Sequence, residues 1–136
     1  MPNCPLCLES QYPILWQDNN FRVVLVNDQN YPGYCRLEAN AHVKEFSDLE
    51  DALQIQCMSL IVHIEKAIRK LLQPEKINIA SLGNKTPHLH WHIIPRNRDD
   101  NHFPEPIWGP SLRNNYEDFN PNQEKSFVEK MKNLLN

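Results

Sequence analysis

Apolar residues recur along the chain with two spacings, one typical of strands and one typical of helices. Short runs rich in β-branched residues predict strands at about 21–26, 34–39, 76–82 and 88–94. Apolar residues at steps of three and four predict helices at about 47–72 and 122–135. The pattern indicates an α+β fold, with an antiparallel sheet, one long helix packed on it and a C-terminal extension.

The ends of the predicted elements carry recognisable signals. Pro32 followed by Gly33 favours a tight turn, so we expect the strands on either side of it to pair as antiparallel neighbours. Ser47 and Glu50 have the spacing of a capping box at the start of the long helix, and Pro74 follows its end.

The composition changes after Arg96. Residues 1–96 form the predicted domain core, and residues 97–136 form an extension with three prolines in its first part and a short helix at its end. Trp108 lies in the proline-rich part, where a large aromatic side chain needs a surface on which to dock. We expect it either beside a functional site or over an edge of the core.

Three of the six histidines occupy alternate positions, at 88, 90 and 92. Side chains two residues apart share a face of a strand, whereas on a helix they diverge. The intervening residues Leu89 and Trp91 are apolar. The stretch therefore predicts a strand with one face packed on the core and three imidazoles facing a cleft.

The overall totals narrow the class of protein. The chain has 136 residues and a formal net charge of -3, which predicts one domain and argues against binding to nucleic acid, since that needs a basic face. No apolar run reaches the ~20 residues of a membrane helix, and the N-terminus lacks a secretory pattern, so we expect a cytoplasmic protein. In that compartment the four cysteines are thiols or metal ligands rather than disulfides. Cys35 and Cys57 fall on apolar faces and are expected in the core.

The alternating histidines are suited to two kinds of chemistry. A neutral imidazole can attack phosphorus and form a covalent intermediate, with flanking imidazoles donating to phosphate oxygens. In this arrangement the central His90 is the nucleophile, and His88 and His92 support it. Alternatively, three histidines can hold a catalytic Zn²⁺ with an open coordination position.

The stretch 88–94 has the form His-φ-His-φ-His-φ-φ, with φ apolar, and resembles the defining motif of the histidine-triad (HIT) superfamily. The similarity extends to residues 77–84, to Val24–Asn27 and to Pro32-Gly33, and covers about residues 1–96. Within the superfamily the chain resembles dinucleoside polyphosphate hydrolases.

The resemblance implies a hydrolase or transferase that cleaves nucleotide conjugates at the α-phosphate. The implied substrate is a dinucleoside polyphosphate or a nucleoside phosphoramidate, and the resemblance implies that His90 carries the nucleotidyl group. The resemblance also implies that Asn27 contacts the ribose and Asn84 the phosphate, although both asparagines could simply make turns. A non-catalytic nucleotide-binding protein on the same fold is a further alternative.

A possible structural zinc and a homodimer complete the expectations. Cys4 and Cys7 supply half of a tetrahedral site, or are two reduced thiols in a loop. The resemblance implies that His42 and His88 complete the site. It implies no cofactor for the chemistry itself, and it implies a homodimer formed through the long helix and an edge strand.

Overall fold

The computed structural model describes residues 3–116 and 118–136. Its five strands are β1 (Ile14–Gln17), β2 (Phe21–Leu25), β3 (Cys35–Ala39), β4 (Lys76–Ala80) and β5 (His90–Arg96). Its two α-helices are α1 (Asp51–Leu72) and α2 (Pro121–Leu135), and short 3-10 helices lie at Pro5–Cys7 and Phe46–Asp48. The α+β class with an antiparallel sheet and one long helix is confirmed.

The strands form one antiparallel sheet in the order β1-β2-β3-β5-β4. The predicted pairing of β2 with β3 is confirmed, with Phe21 opposite Ala39 and Leu25 opposite Cys35. Gly33 is needed in the turn between them, because its φ is +92° and an added Cβ would lie 2.3 Å from a Leu72 side-chain carbon. One of the five strands, β1, was not predicted.

Two predicted boundaries were wrong. The strand predicted at 88–94 begins only at His90 and runs to Arg96, so His88 precedes the strand. The long helix begins at Asp51, after a separate 3-10 turn in which the Asp48 carboxylate accepts from the Glu45 amide at 2.9 Å. The capping box therefore consists of Glu45 and Asp48, two residues before the predicted Ser47 and Glu50, and it caps the 3-10 turn rather than α1.

Helix α1 covers the sheet with one apolar face, as its period predicts. Both Cys35 and Cys57 lie in this core and are 0% and 1% exposed. Helix α2 contributes Phe127 and Met131 to the same core, so it packs with α1 and the sheet although it lies in the predicted extension. The division of the chain at residue 96 remains a prediction. Among the described residues, no helix has the length and apolar character needed to cross a membrane.

The segment after β5 is ordered by one buried ion pair. The Arg96 guanidinium donates to both Asp100 carboxylate oxygens, at 2.7 and 3.0 Å, and also to the Glu105 carbonyl at 2.7 Å. Burial alone would raise the pKa of Asp100, but the bonds from Arg96 and from backbone amides outweigh it and lower this pKa to about 2. This network fixes the path of the chain toward Trp108.

Candidate active site

His90 and His92 stand side by side on β5 and face a cavity of about 370 Å³. Their ring centroids are 4.9 Å apart, and the rings meet edge to face. We call this space the triad cavity. Its lining residues are Leu82, Gly83, Asn84, Lys85, Thr86, His90, His92 and Trp108.

A backbone contact fixes the tautomer of His90. Its Nδ1–H donates to the carbonyl of His88 at 2.6 Å. A neutral imidazole has one N–H and one lone pair, so the lone pair lies on Nε2. Within the described residues Nε2 has no hydrogen-bond partner, and it is the nitrogen able to act as a nucleophile. The His90 carbonyl in turn accepts from the Ser81 hydroxyl at 2.7 Å, which secures this part of the strand.

Tyr34 orients His92. The Tyr34 hydroxyl forms a short hydrogen bond with His92 Nδ1, and both side chains are at least nine-tenths buried. Burial lowers the pKa of His92 to about 4, with smaller contributions from the neighbouring charges of His90 and Arg36. Burial also raises the pKa of Tyr34, so the phenol keeps its proton. At neutral pH the phenol donates to Nδ1, and the Nε2–H of His92 is available as a donor.

Trp108 closes one side of the triad cavity. Its ring centroid lies 4.9 Å from that of His92, and the side chain is 50% exposed. The position is one of the two that the sequence allowed, beside the functional site. A half-exposed indole at the wall of a cavity offers a flat surface for stacking.

His88 has different surroundings from the other two histidines. It is fully buried, and its Nε2–H donates to the Ala39 carbonyl at 2.6 Å. Its Nδ1 lies 3.3 Å from Cys4 Sγ, 3.5 Å from Cys7 Sγ and 3.2 Å from His42 Nδ1. Both ring nitrogens are thus occupied away from the triad cavity, which His88 does not line. The expectation that the His88 ring supports the substrate phosphate does not fit this geometry. Strand β5 starts after His88, and both nitrogens of its ring are engaged elsewhere.

The group formed by Cys4, Cys7, His42 and His88 matches a tetrahedral metal site. All four donor atoms lie within 4.8 Å of one another. Zinc bonds of ~2.3 Å to sulfur and ~2.0 Å to nitrogen require donor atoms roughly 3.3–3.8 Å apart, close to the distances from His88 Nδ1 to the other three donor atoms. Burial lowers the pKa of His88, which favours the neutral form that a metal requires. Because Nε2 of His88 carries the proton, Nδ1 is unprotonated, and its lone pair points toward the other three donor atoms, where it can bind a metal.

The two asparagines have different positions. Asn84 lines the triad cavity, in the loop between β4 and β5. Asn27 is exposed just after β2 and is not among the residues that line the cavity. The sequence analysis missed Tyr34, Lys85 and Thr86. A lysine in the loop before the histidines was a usable signal for phosphate binding, whereas Tyr34 looked like an ordinary strand aromatic.

A family comparison identifies the chain. The model of the HIT domain matches residues 8–99, which include β1 to β5 and all three histidines of the motif. The chain belongs to the HIT family.

Solved HIT structures share this fold. A histidine triad protein from Bradyrhizobium japonicum is 27% identical, with a TM-score of 0.80 over 94% of this chain and 96% of that one. A second, from Marinobacter aquaeolei, is also 27% identical, with a TM-score of 0.75 over 90% and 87%. A zinc-bound histidine triad family protein from Mycobacterium smegmatis is 19% identical, with a TM-score of 0.67 over 98% and 94%. No curated protein matches the sequence.

Proposed function

We propose that this HIT protein is a hydrolase or transferase that cleaves nucleotide conjugates at the α-phosphate through a covalent nucleotidyl-His90 intermediate. Family membership supports a role in nucleotide binding or hydrolysis. The observation that carries the finer proposal is the bond from His90 Nδ1–H to the His88 carbonyl, because it leaves the Nε2 lone pair for attack. The substrates we propose are dinucleoside polyphosphates and nucleoside phosphoramidates.

The reaction proceeds in two displacements. The lone pair on His90 Nε2 attacks the α-phosphorus, a P–N bond forms, and the bond to the leaving group breaks with its electron pair. The positive charge that develops on the ring is stabilised through Nδ1–H by the His88 carbonyl. Water or another acceptor then attacks the same phosphorus and loses its proton to solvent, and the P–N electrons return to His90. A departing amine takes up a proton from solvent. A nucleoside monophosphate or its transfer product is released.

Other residues of the cavity hold the substrate. His92, kept neutral by its lowered pKa, donates a hydrogen bond from Nε2–H to a phosphoryl oxygen or to the leaving atom and keeps the proton, with Tyr34 fixing its orientation. Lys85 and Asn84 line the side of the cavity where a phosphate would lie. Trp108 stacks on the nucleobase, and Asn27 is the proposed contact of the ribose. His88 acts through its carbonyl oxygen.

The alternative of a catalytic zinc held by the three histidines is less well supported. His88 faces Cys4, Cys7 and His42, whereas His90 and His92 face the cavity. Across residues 3–116 and 118–136, this cysteine-containing group is the only cluster of three or more His, Cys, Asp or Glu side chains with converging ligand atoms.

An activity panel distinguishes the remaining alternatives. Diadenosine polyphosphates, adenosine phosphoramidates and nucleotide sugars are each offered to the protein, with and without a chelator. We expect turnover of at least one class, unchanged by brief chelation. Loss of turnover with chelator and recovery with zinc would support the zinc hydrolase. Tight binding of all three classes without turnover would support the non-catalytic alternative.

We also propose that Cys4, Cys7, His42 and His88 hold a structural zinc. Bound there, zinc would tie the N-terminal loop to the segment before β5 and take no part in the chemistry. The donor set and its geometry support this, and the Mycobacterium smegmatis relative is a zinc-bound protein of the same fold.

A homodimer is the proposed assembly. Ile55, Met58 and Val62 are exposed on α1 at steps of three and four, on a face that the core does not cover. Strand β4 lies at an edge of the sheet and exposes Ile79. Light scattering of the wild type should give the mass of two chains, and Ile55→Glu with Val62→Glu should give one. Leu8→Glu, at an exposed apolar residue elsewhere, is the control. A wild-type mass of one chain contradicts the proposal.

A further inference from the structure

A second cavity adjoins the triad cavity, and the function proposed above gives it no role so far. Its volume is about 280 Å³, and Thr86 lines both cavities. We call it the arginine cavity. Its lining residues are Pro5, Leu6, Leu8, Glu9, Ser10, Gln11, Tyr12, Arg22, Arg36 and Thr86.

The sheet register places Arg36 next to the catalytic histidines. Arg36 on β3 lies opposite His92 on β5, and Glu38 lies opposite His90. Opposed residues of an antiparallel pair project to the same face. Arg36 is also close enough for its charge to lower the pKa of His92. A ligand bound at His90 therefore has a guanidinium within reach on the neighbouring strand.

Glu38 forms ion pairs with two arginines and so holds both in place. It is fully buried, and its carboxylate accepts from Arg22 Nε at 2.6 Å and from Arg36 Nε at 2.5 Å. Arg22 uses its remaining groups on the backbone, donating to the Leu8 carbonyl at 2.9 Å and the Leu6 carbonyl at 3.2 Å. Each of the three guanidinium nitrogens of Arg22 thus donates to a protein oxygen, and we treat this arginine as structural.

The terminal amino groups of Arg36 remain available as hydrogen-bond donors. Its guanidinium carbon lies 5.4 Å from the centroid of the Tyr12 ring, which supports it from one side. Within the part of the chain that the structure describes, neither terminal amino group of Arg36 has a hydrogen-bond partner, and neither is buried away from solvent. Glu9, the carboxylate that lines the cavity, is exposed and forms no ion pair with Arg36 among these residues.

The ion pairs of Glu38 leave the charge of one arginine available for a ligand. The cluster of Arg22, Arg36 and Glu38 has a net charge of +1, because two guanidinium groups contact one carboxylate. The exposed Glu9 at the cavity wall forms no ion pair with either arginine among the described residues. One arginine would neutralise Glu38, and Arg22 already does so. A guanidinium held by its Nε and by an aromatic ring presents two parallel N–H groups, which is the geometry that binds a carboxylate or phosphate in bidentate fashion.

We infer that the arginine cavity is the leaving-group subsite, and that Arg36 binds an oxyanion carried by the leaving group. The inference rests on the proposed function, in which Trp108 takes the nucleobase and His90 the α-phosphorus. The leaving group then extends past Thr86 into the arginine cavity. The substrate class is a nucleotide joined to an anionic leaving group, carrying a phosphate or a carboxylate, rather than to a neutral amine.

Three adenosine 5′-phosphoramidates test this with the same P–N bond throughout. The amine component is propylamine, β-alanine or 2-aminoethyl phosphate. In the conjugate the first adds no charged group, the second adds a carboxylate and the third adds a phosphate. We expect wild-type kcat/KM to be at least about tenfold higher for one or both anionic conjugates, and the better one identifies the oxyanion. Arg36→Gln should remove this preference and leave the propylamine conjugate within about threefold. Arg36→Lys should keep part of it, and Arg98→Gln, at an exposed arginine, should keep all of it.

Equal wild-type kcat/KM for the three conjugates would overturn the inference. So would an Arg36→Gln variant that remains folded by thermal melting and loses activity equally on all three. Calorimetric Kd values for His90→Ala, alone and combined with Arg36→Gln, separate this result from a failure of the proposed function. If the protein turns over none of the conjugates, an anion preference in Kd that needs Arg36 supports the subsite, and its absence rejects it.

Discussion

His88 and the pair His90 and His92 belong to one motif but have opposite environments. His88 is fully buried with both ring nitrogens engaged, one by a carbonyl and the other toward two thiols and an imidazole. His90 and His92 border an open cavity, and each has a nitrogen without a partner among the described residues. One hydrogen bond, from the His90 ring to the His88 carbonyl, joins the two regions. We therefore propose that the motif divides into a structural part, His88, and a chemical part, His90 and His92, and that the first orients the second.

The largest effect expected from breaking the chemical part is the loss of the nucleophile. His90→Ala should lower kcat/KM by on the order of 10⁴ or more, as in other covalent hydrolases. Steady-state kinetics on the best substrate of the panel measures it. His63→Ala is the matched control, because His63 is an exposed histidine on α1 whose ring contacts the Leu134 carbonyl. Wild-type turnover by His90→Ala would remove His90 from the mechanism.

Breaking the structural part should appear first in metal content and stability. Cys4→Ser with Cys7→Ser should reduce zinc per chain from about one to near zero. It should also lower the melting temperature by roughly 5 °C or more, since the lost ligands no longer tie the loop to His88. Elemental analysis and thermal melting measure the two effects. Cys57→Ala, at a core cysteine outside the cluster, should keep its zinc. A zinc-free wild type with an unchanged melting temperature in the double variant would show that the cysteines carry no metal.

A smaller effect is expected at the wall of the triad cavity. Trp108→Ala should raise KM about tenfold with kcat nearly unchanged, because stacking on a base contributes ~1–3 kcal/mol. Trp108→Phe should recover most of the loss. Tyr116→Ala provides the control, as an aromatic of the same segment that is 73% exposed and does not line the cavity. A change in kcat with constant KM would place Trp108 in the chemistry instead.

The smallest effect should come from the phenol that orients His92. Tyr34→Phe removes one buried hydroxyl and leaves His92 Nδ1 without its donor, which we expect to lower kcat about fivefold, or ~1 kcal/mol. Tyr31→Phe is matched to it, because that hydroxyl instead contacts His102 and Asp100, and kcat should stay the same. Equal losses in the two variants would indicate a general packing effect.

Local patterns predicted the regular parts of this fold well. Alternation placed His90 and His92 on one strand face, and the apolar period placed α1 on the sheet and ended it near Leu72. Strand β1 was missed because it has four residues and pairs with β2 across an irregular register.

The features that were missed depend on contacts between distant residues. The environment of His88 follows from where β5 begins, and an alternating motif does not show that start. The order in the segment after Arg96 depends on Asp100, whose role is hidden in a run of charged residues. Tyr34 acquires its role only because β3 and β5 are neighbours.

Base-quenched trapping of the covalent intermediate tests the division of the motif most directly. The wild type is mixed with a slowly hydrolysed adenosine conjugate, quenched in base and mapped by peptide mass spectrometry. We predict an added adenylyl group on His90 alone, and none in His90→Ala. An adduct on His88 or His92, or full turnover with no adduct at any time point, would contradict the account.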